Sequence, residues 1–318
     1  MAKRRLSQQQ KRRIRHAQQS VDLNHPNNRQ GLVISHHGGI VEVEPDGEQD
    51  INIHCQLRTN LGVIVSGDRV VYQSHDDSPA IIACLERDNL LQRQDGFGNI
   101  KAVAANVTQL LICLAVEPPP NLFLLDQYLL SAEQQHIHAL IVLNKIDQLP
   151  ADSGTDPFHL QQIYATLGYD VLYTSIKTGL NLDRLQQQCS GYVNVISGVS
   201  GVGKSSITQV ILPHENIAVG EISEANREGR HTTRTSRLYH LPRGGDLIDT
   251  PGVRGFNPVL DPNQPLANGF REIAVAAQHC KFSNCIHVNE PRCAVIQAVQ
   301  SGEIQASRYD NYLKLLKA

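Results

Sequence analysis

A chain of 318 residues with 41% hydrophobic and 19% charged side chains is globular in composition and too long for one small core, so two or three compact units are expected. Its formal charge of −2 hides an asymmetry: residues 1–20 carry seven Lys and Arg and no acid, which leaves −9 on the rest and excludes nucleic-acid affinity through bulk charge. No apolar run reaches bilayer length, and Lys3, Arg4 and Arg5 do not lead into a signal peptide, so the expectation is a cytoplasmic protein with no membrane association and reduced cysteines.

Residues 1–30 read as a basic, glutamine-rich disordered arm, either a plain solvated terminus or a contact for RNA. Over 31–105, short β-rich runs at 31–35, 40–43, 50–55, 68–72 and 80–85 alternate with the turn signals Gly38-Gly39, Asp46-Gly47 and Gly67-Asp68. Five such strands predict a small barrel with an OB-fold leading, although periodicity alone does not separate it from an SH3-like barrel. From 106 to 258 the rhythm changes. Apolar strands at 109–116, 139–143, 171–174, 193–197 and 246–248 alternate with helical segments at 122–135, 157–167, 180–188 and 204–211. That alternation predicts a mainly parallel sheet covered by helices. Residues 259–318 follow as a small separate unit: a Pro/Asn-rich link, a helical stretch, a Cys/His cluster and a last helix.

Four strand ends carry the chemistry. Gly198-Val199-Ser200-Gly201-Val202-Gly203-Lys204-Ser205, followed by Ser206, is a phosphate-binding loop between a strand and a helix. Its glycines let backbone N–H groups turn toward phosphates, and the helix N-terminus adds a favourable dipole. Lys204 is expected on the β and γ phosphates and Ser205 on Mg²⁺. This loop does not distinguish ATP from GTP. Asn144-Lys145-Ile146-Asp147 does: a carboxylate at Asp147 accepts two hydrogen bonds from the N1–H and exocyclic amine of guanine, a donor pair adenine lacks. Asn144 is expected to hold the loops together, and Lys145 to cover the base. Thr174-Ser175-Ile176-Lys177 is expected to close around the base, and Asp249-Thr250-Pro251-Gly252 to organise Mg²⁺ through Asp249 and sense the γ-phosphate at the Gly252 N–H. Gly229-Arg230-His231-Thr232-Thr233 occupies the place of a switch threonine, with Thr232 and Thr233 both open as the Mg²⁺ ligand. In a standard small GTPase the phosphate loop comes first; here the two base-recognition motifs precede it.

In this combination the chain resembles the bacterial ribosome small-subunit-dependent GTPase A family over residues 31–318. The resemblance implies an N-terminal OB-fold (31–105), a circularly permuted α/β P-loop GTPase domain (106–258) and a C-terminal zinc-binding helical domain (259–318). It further implies action late in assembly of the 30S subunit, contact with 16S rRNA, and turnover of GTP to GDP stimulated by that subunit; a monomer is expected. The zinc cluster is Cys280-x4-Cys285-x-His287-x5-Cys293. Three thiolates and an imidazole suit one closed, structural Zn²⁺ site with no open position for catalysis. His279 is an adjacent alternative ligand, and the family pattern favours His287. Cys55, Cys84, Cys113 and Cys189 lie in apolar runs and read as core.

Hydrolysis requires a positioned water. Ras-like enzymes place a Gln directly after Asp-x-x-Gly; here the position is Val253, which cannot hydrogen-bond, so slow unaided turnover is expected, completed by His231 or by a partner. Arg230 and Arg234 are alternatives for contacting phosphates or partner. Gly201 stands where potassium-assisted enzymes carry Asn. The competing function is a nucleotide-gated RNA-binding module in which hydrolysis is minor; a GTPase acting on free RNA or protein is a third. Because Asp249 and Gly252 end the GTPase domain, loss of γ-phosphate is expected to shift the zinc domain against the barrel.

Overall fold

The computed structural model describes residues 21–23, 25–58, 61–73, 79–94, 98–150, 154, 156, 158–213, 236–250, 257–261 and 263–317. The first five strands are β1 (Asn28–His37), β2 (Ile40–Pro45), β3 (Ile53–Leu57), β4 (Arg69–Gln73) and β5 (Ala80–Cys84). They pair in the order β1-β2-β3-β5-β4 and close through β1–β4, with β3 and β5 parallel. This order is the OB-fold and removes the SH3-like alternative. Closure depends on β1 pairing along both edges, and Gly31 lies where they overlap. A Cβ there would stand 2.5 Å from Val43 Cγ1 and 2.6 Å from the Glu44 carbonyl oxygen, so no larger residue fits. Val33, Val41, Val43, Cys55, Val70, Tyr72 and Ile81 fill the interior.

Three features differ from expectation. First, β1 begins at Asn28, inside the segment expected to be a disordered arm, because Asn28–Leu32 pairs with Gln73–Arg69 of β4. Second, β3 begins at Ile53: Asp50 turns the chain at φ 66°, and its N–H donates to the Glu44 carboxylate. Third, a hairpin of β6 (Leu90–Gln94) and β7 (Ile100–Ala105) follows the barrel as a separate sheet, extended by β14 (Asn257–Pro258). Its polar run LLQRQ carries little alternation to announce it.

The second sheet contains β8 (Gln109–Ala115), β9 (His138–Asn144), β10 (Asp170–Tyr173), β11 (Val193–Ser197), β12 (Arg237–His240) and β13 (Asp246–Asp249). Its order is β10-β9-β8-β11-β13-β12, parallel except for β12, and β12 joins it to the barrel through Ser35↔Arg237. Both faces are covered, which explains the unbroken apolar strands. Along β8, Leu110, Ile112 and Leu114 pack toward α1 (Leu122–Gln134), whereas Leu111, Cys113 and Ala115 pack toward α3 (Leu182–Cys189) and α4 (Lys204–Ile211). The helix expected over 157–167 is shorter and broken. The Asp156 carboxylate accepts the N–H groups of Leu160 and Gln161, so α2 starts there (Leu160–Ile163). A 3₁₀ turn at Ala165–Leu167 then ends on Gly168 at φ 82°.

The C-terminal unit comprises α5 (Arg271–Ala277), α6 (Ala294–Ser301) and α7 (Ala306–Leu315), and its core includes Leu130 of α1. A buried ionic group fastens it to the helix-covered parallel sheet. Arg308 of α7 donates to Asp126 of α1 at 2.5 Å and to Glu272 of α5 at 2.7 and 3.1 Å. Asp126 also accepts from Tyr164 and Asn311. Burial pushes the Asp126 carboxyl up in pKa, against the pull of Arg308.

Candidate functional site

Strands β8, β9, β10, β11 and β13 run parallel, so their C-terminal ends share one sheet edge whatever their order in the chain. Open α/β sheets bind ligands at that edge. Asn144 leaves β9 there, Thr174 and Ser175 leave β10, Gly198 leaves β11, and Asp249 ends β13. Ile248 pairs with Val195, which puts Asp249 one strand away from the phosphate-binding loop.

Direct contacts join the motifs. Buried Asn144 donates from Nδ2 to the Val202 carbonyl at 3.1 Å and accepts from Thr174 Oγ1 at 3.3 Å. It therefore ties the phosphate loop to the segment after β10. Gly203, at φ 93°, makes this approach possible, since a Cβ there would lie 2.5 Å from Asn144 Nδ2. Lys204 turns back across the loop and donates to the carbonyls of Gly198 (2.7 Å) and Val199 (2.6 Å). Lys204, Ser205 and Ser206 form the first turn of α4, whose N–H groups have no acceptor within the helix and lie at the end of the loop.

On the base side, Ser175 Oγ donates to Asp147 Oδ1 at 2.6 Å and accepts the Thr178 N–H. This bond leaves Asp147 Oδ2 free of Ser175 and fixes the carboxylate plane. Lys177 is exposed, with Nζ 4.0 Å from Asp147. Ile146 and Ile176 pack into the two cores beside the motif residues. Lys145 has φ 61°, and its Nζ donates to the Glu117 carbonyl at 2.8 Å. Residues 117–118 were not singled out in the sequence. They form a wall beside the loop, with Pro118 Cδ 3.6 Å from where a Cβ on Gly201 would sit. No motif marks this wall; only the fold does. His231, Thr232, Thr233, Gly252, Val253, Arg230 and Arg234 lie outside the described residues.

The second group is Cys280, Cys285, His287 and Cys293, whose ligand atoms all lie within 4.8 Å of one another. Cys280 Sγ is 3.8 Å from Cys293 Sγ, and His287 Nδ1 is 3.5 Å from both sulfurs. A tetrahedral ion with metal–sulfur bonds of about 2.3 Å requires sulfur–sulfur edges of about 3.8 Å, so these residues fit a metal. Exposed His279 is not in the group. Glu290 gathers the N–H groups of Ile286, Val288 and Asn289, which holds its carboxyl down at about 2. Tyr309 and Tyr312 donate to the carbonyls of His287 and Ile286. Burial lowers the pKa of His287, favouring the neutral imidazole that ligates metal. No helix among the described residues is long and apolar enough to cross a membrane.

The sequence profile described as RsgA GTPase matches residues 84–258. A protein of Saccharophagus degradans named small ribosomal subunit biogenesis GTPase RsgA is 42% identical, covering 100% of this chain and 98% of its own length. Its namesake from Hahella chejuensis is 39% identical over 99% and 96%. Among solved structures, YjeQ from Thermotoga maritima superposes with a TM-score of 0.72 at 33% identity, over 91% of this chain and 97% of its own. YloQ, described as a circularly permuted GTPase, gives 0.70 at 28% identity over 94% and 97%.

Proposed function

Because the chain belongs to the RsgA GTPase family, we propose that the GTP it hydrolyses is spent on the 30S ribosomal subunit, late in assembly and in contact with 16S rRNA. The observation that carries this reading is the shared sheet edge, where Asn144 bridges the phosphate loop and the base-side segment. The relatives named for small-subunit biogenesis supply the partner. The protein acts in the cytoplasm as a monomer.

At this edge Asp147 reads the guanine N1–H and amine, held in plane by Ser175, while Lys145 and Lys177 flank the base and Ile176 backs it. The backbone N–H groups of Gly198, Val199, Ser200, Gly201, Val202 and Gly203 cradle the phosphates with the first turn of α4, Lys204 to Ser206. Lys204 exchanges its two loop carbonyls for phosphate oxygens. Ser205, with Thr232 or Thr233, would hold the Mg²⁺ that travels with GTP, and Asp249 would organise its site. Bound there, the ion would supply neutralisation of phosphate charge. Gly252 senses the γ-phosphate. Val253 gives no group to orient the attacking water, so His231 or the subunit does so. One Zn²⁺ held by Cys280, Cys285, His287 and Cys293 replaces the core that so small a unit cannot build.

The test is GTP and ATP turnover with and without 30S subunits, with Lys204→Ala as control. GTP-selective turnover that rises with the subunit is expected. Turnover unchanged by subunits that nonetheless bind in a nucleotide-dependent way would instead favour a gated RNA-binding module.

A further inference from the structure

The seam between the barrel and the nucleotide-binding sheet is built by β12. In register, Arg237 faces Asp249 of β13 on one side and Ser35 of β1 on the other. Along the chain, Arg237 comes four residues after Thr233. Arg237 thus pairs with Asp249 through the sheet and follows the expected switch threonines along the chain. Arg237 in turn pairs with Glu42 on β2, and that carboxylate also accepts from Ser35 Oγ at 2.5 Å. A second clasp lies at the far end of β12. His240 makes a 2.7 Å contact from Nδ1 to Asp246 and a 2.9 Å contact from Nε2 to Glu44 on the barrel. Ser66 Oγ adds a bond from the barrel to the Ser236 carbonyl.

Glu44, Asp50 and His240 bring possible metal-ligating atoms within 4.8 Å of one another. The distances argue against an ion. Nitrogen and oxygen donors at about 2.0–2.1 Å from a tetrahedral metal would stand about 3.3 Å apart, and the 2.9 Å contact of His240 with Glu44 is a hydrogen-bond length. The Cys/His group, at 3.5–3.8 Å, has the wider spacing a metal needs. The seam is a hydrogen-bonded ionic clasp.

We propose that Arg237 is a positioning residue that passes nucleotide state from Asp249 to the barrel through Glu42, with His240 and Glu44 as the second clasp. The barrel is then an output of the GTPase cycle in its own right. A short strand paired on both sides and held by side-chain contacts at both ends is a contiguous physical link between the two sheets, of the kind that carries coupling between sites. The consequence for the partner rests on the ribosomal reading above; the coupling within the free protein does not.

Two measurements keep these separable. In the free protein, amide hydrogen exchange is followed while GDP is replaced by a non-hydrolysable GTP analogue. Wild type is expected to change exchange in β13 and in β1–β2. Glu42→Gln and Arg237→Met should keep the change at β13 and lose it in β1–β2, and the swap Glu42→Arg with Arg237→Glu should restore it. A merely structural contact would instead raise exchange in β1–β2 equally in both nucleotide states and leave the nucleotide-dependent change in place. Failure of β1–β2 to respond in wild type, or an unaltered response in both single variants, overturns the coupling. With 30S subunits, the ratio of affinities in the two nucleotide states should fall from about fivefold or more to near one in Glu42→Gln. If exchange behaves as expected but wild type does not bind the subunit, the coupling stands and the ribosomal reading falls.

Discussion

Arg308→Met removes the centre of the group that fastens the C-terminal unit, which carries the Cys/His group, to the GTPase domain. The Arg308 side chain is 2% exposed, between the Asp126 and Glu272 carboxylates and over the Phe270 ring at 4.6 Å. Methionine keeps much of the packing and leaves two buried carboxylates without their cation. Removing one partner of a buried pair costs about 3–5 kcal/mol, because the remaining charge stays desolvated. Tyr164 and Asn311 still donate to Asp126, which places the expected loss near the lower end, about 3 kcal/mol. The loss should depend on pH. Without Arg308 the folded Asp126 pKa, already raised by burial, rises further above its unfolded value near 3.9. The folded state then binds the extra proton, so destabilisation is smallest at low pH and grows as pH rises through the folded pKa. Adding Asp126→Asn should recover part of the loss. The chain has no Trp, so urea unfolding is followed by far-UV circular dichroism, with zinc release to a chromogenic chelator reporting on the C-terminal unit itself. A loss below about 1 kcal/mol, or no recovery in the double variant, would refute the reasoning.

Gly203→Ala places a methyl against Asn144 Nδ2 at a backbone angle that disfavours side chains, so GTP affinity should fall at least about tenfold by titration calorimetry while the unfolding midpoint moves little. Burial opposes charge on His240, but its bonds to Glu44 and Asp246 outweigh this and raise its pKa, with Asp46 and Arg69 lining the same cleft and Asp50 beside Glu44. The clasp is therefore fully formed below the unfolded value near 6.5 and is lost as pH rises through the folded pKa. Wild type minus His240→Asn stability should shrink by about 1 kcal/mol over that range, and a pH-independent difference would contradict it. Cys293→Ser should reduce bound zinc from one per chain and expose α5–α7 to protease, with GTP binding retained; full zinc occupancy would contradict the ligand assignment. His231→Ala should lower subunit-stimulated turnover with little effect on GTP affinity, and unchanged stimulated turnover would remove that residue from the mechanism.

The parallel strands and the motifs at their ends were legible because local pattern carries them. The run at 193–197 and the helix at 204–211 match β11 and α4 residue for residue, since an apolar run, a glycine loop and a helix start are all nearest-neighbour signals. The Cys/His group was legible from spacing, the family pattern chose His287 over His279, and the structure brings Cys280, Cys285, His287 and Cys293 together. What sequence does not carry is contact at long separation. Arg237 meets Glu42 across 195 residues and Arg308 meets Asp126 across 182, with no local pattern linking either pair. The strand β12 is four residues long and β6 of the hairpin is largely polar, so both depend on neighbours for their pairing. The helix expected over 157–167 starts late because the Asp156 carboxylate accepts the Leu160 and Gln161 N–H groups, and it ends early in the 3₁₀ turn that closes on Gly168 at φ 82°.

The central claim is a guanine site assembled from motifs out of chain order, and Asp147 tests it most directly. Affinities for GTP, ATP and XTP are measured for wild type and Asp147→Asn. Xanthine carries a carbonyl where guanine has its amine, so an amide donor at 147 suits it. Wild type should prefer GTP, and the variant should lose about 100-fold or more in GTP affinity while gaining XTP. Unchanged GTP preference in Asp147→Asn would contradict the account.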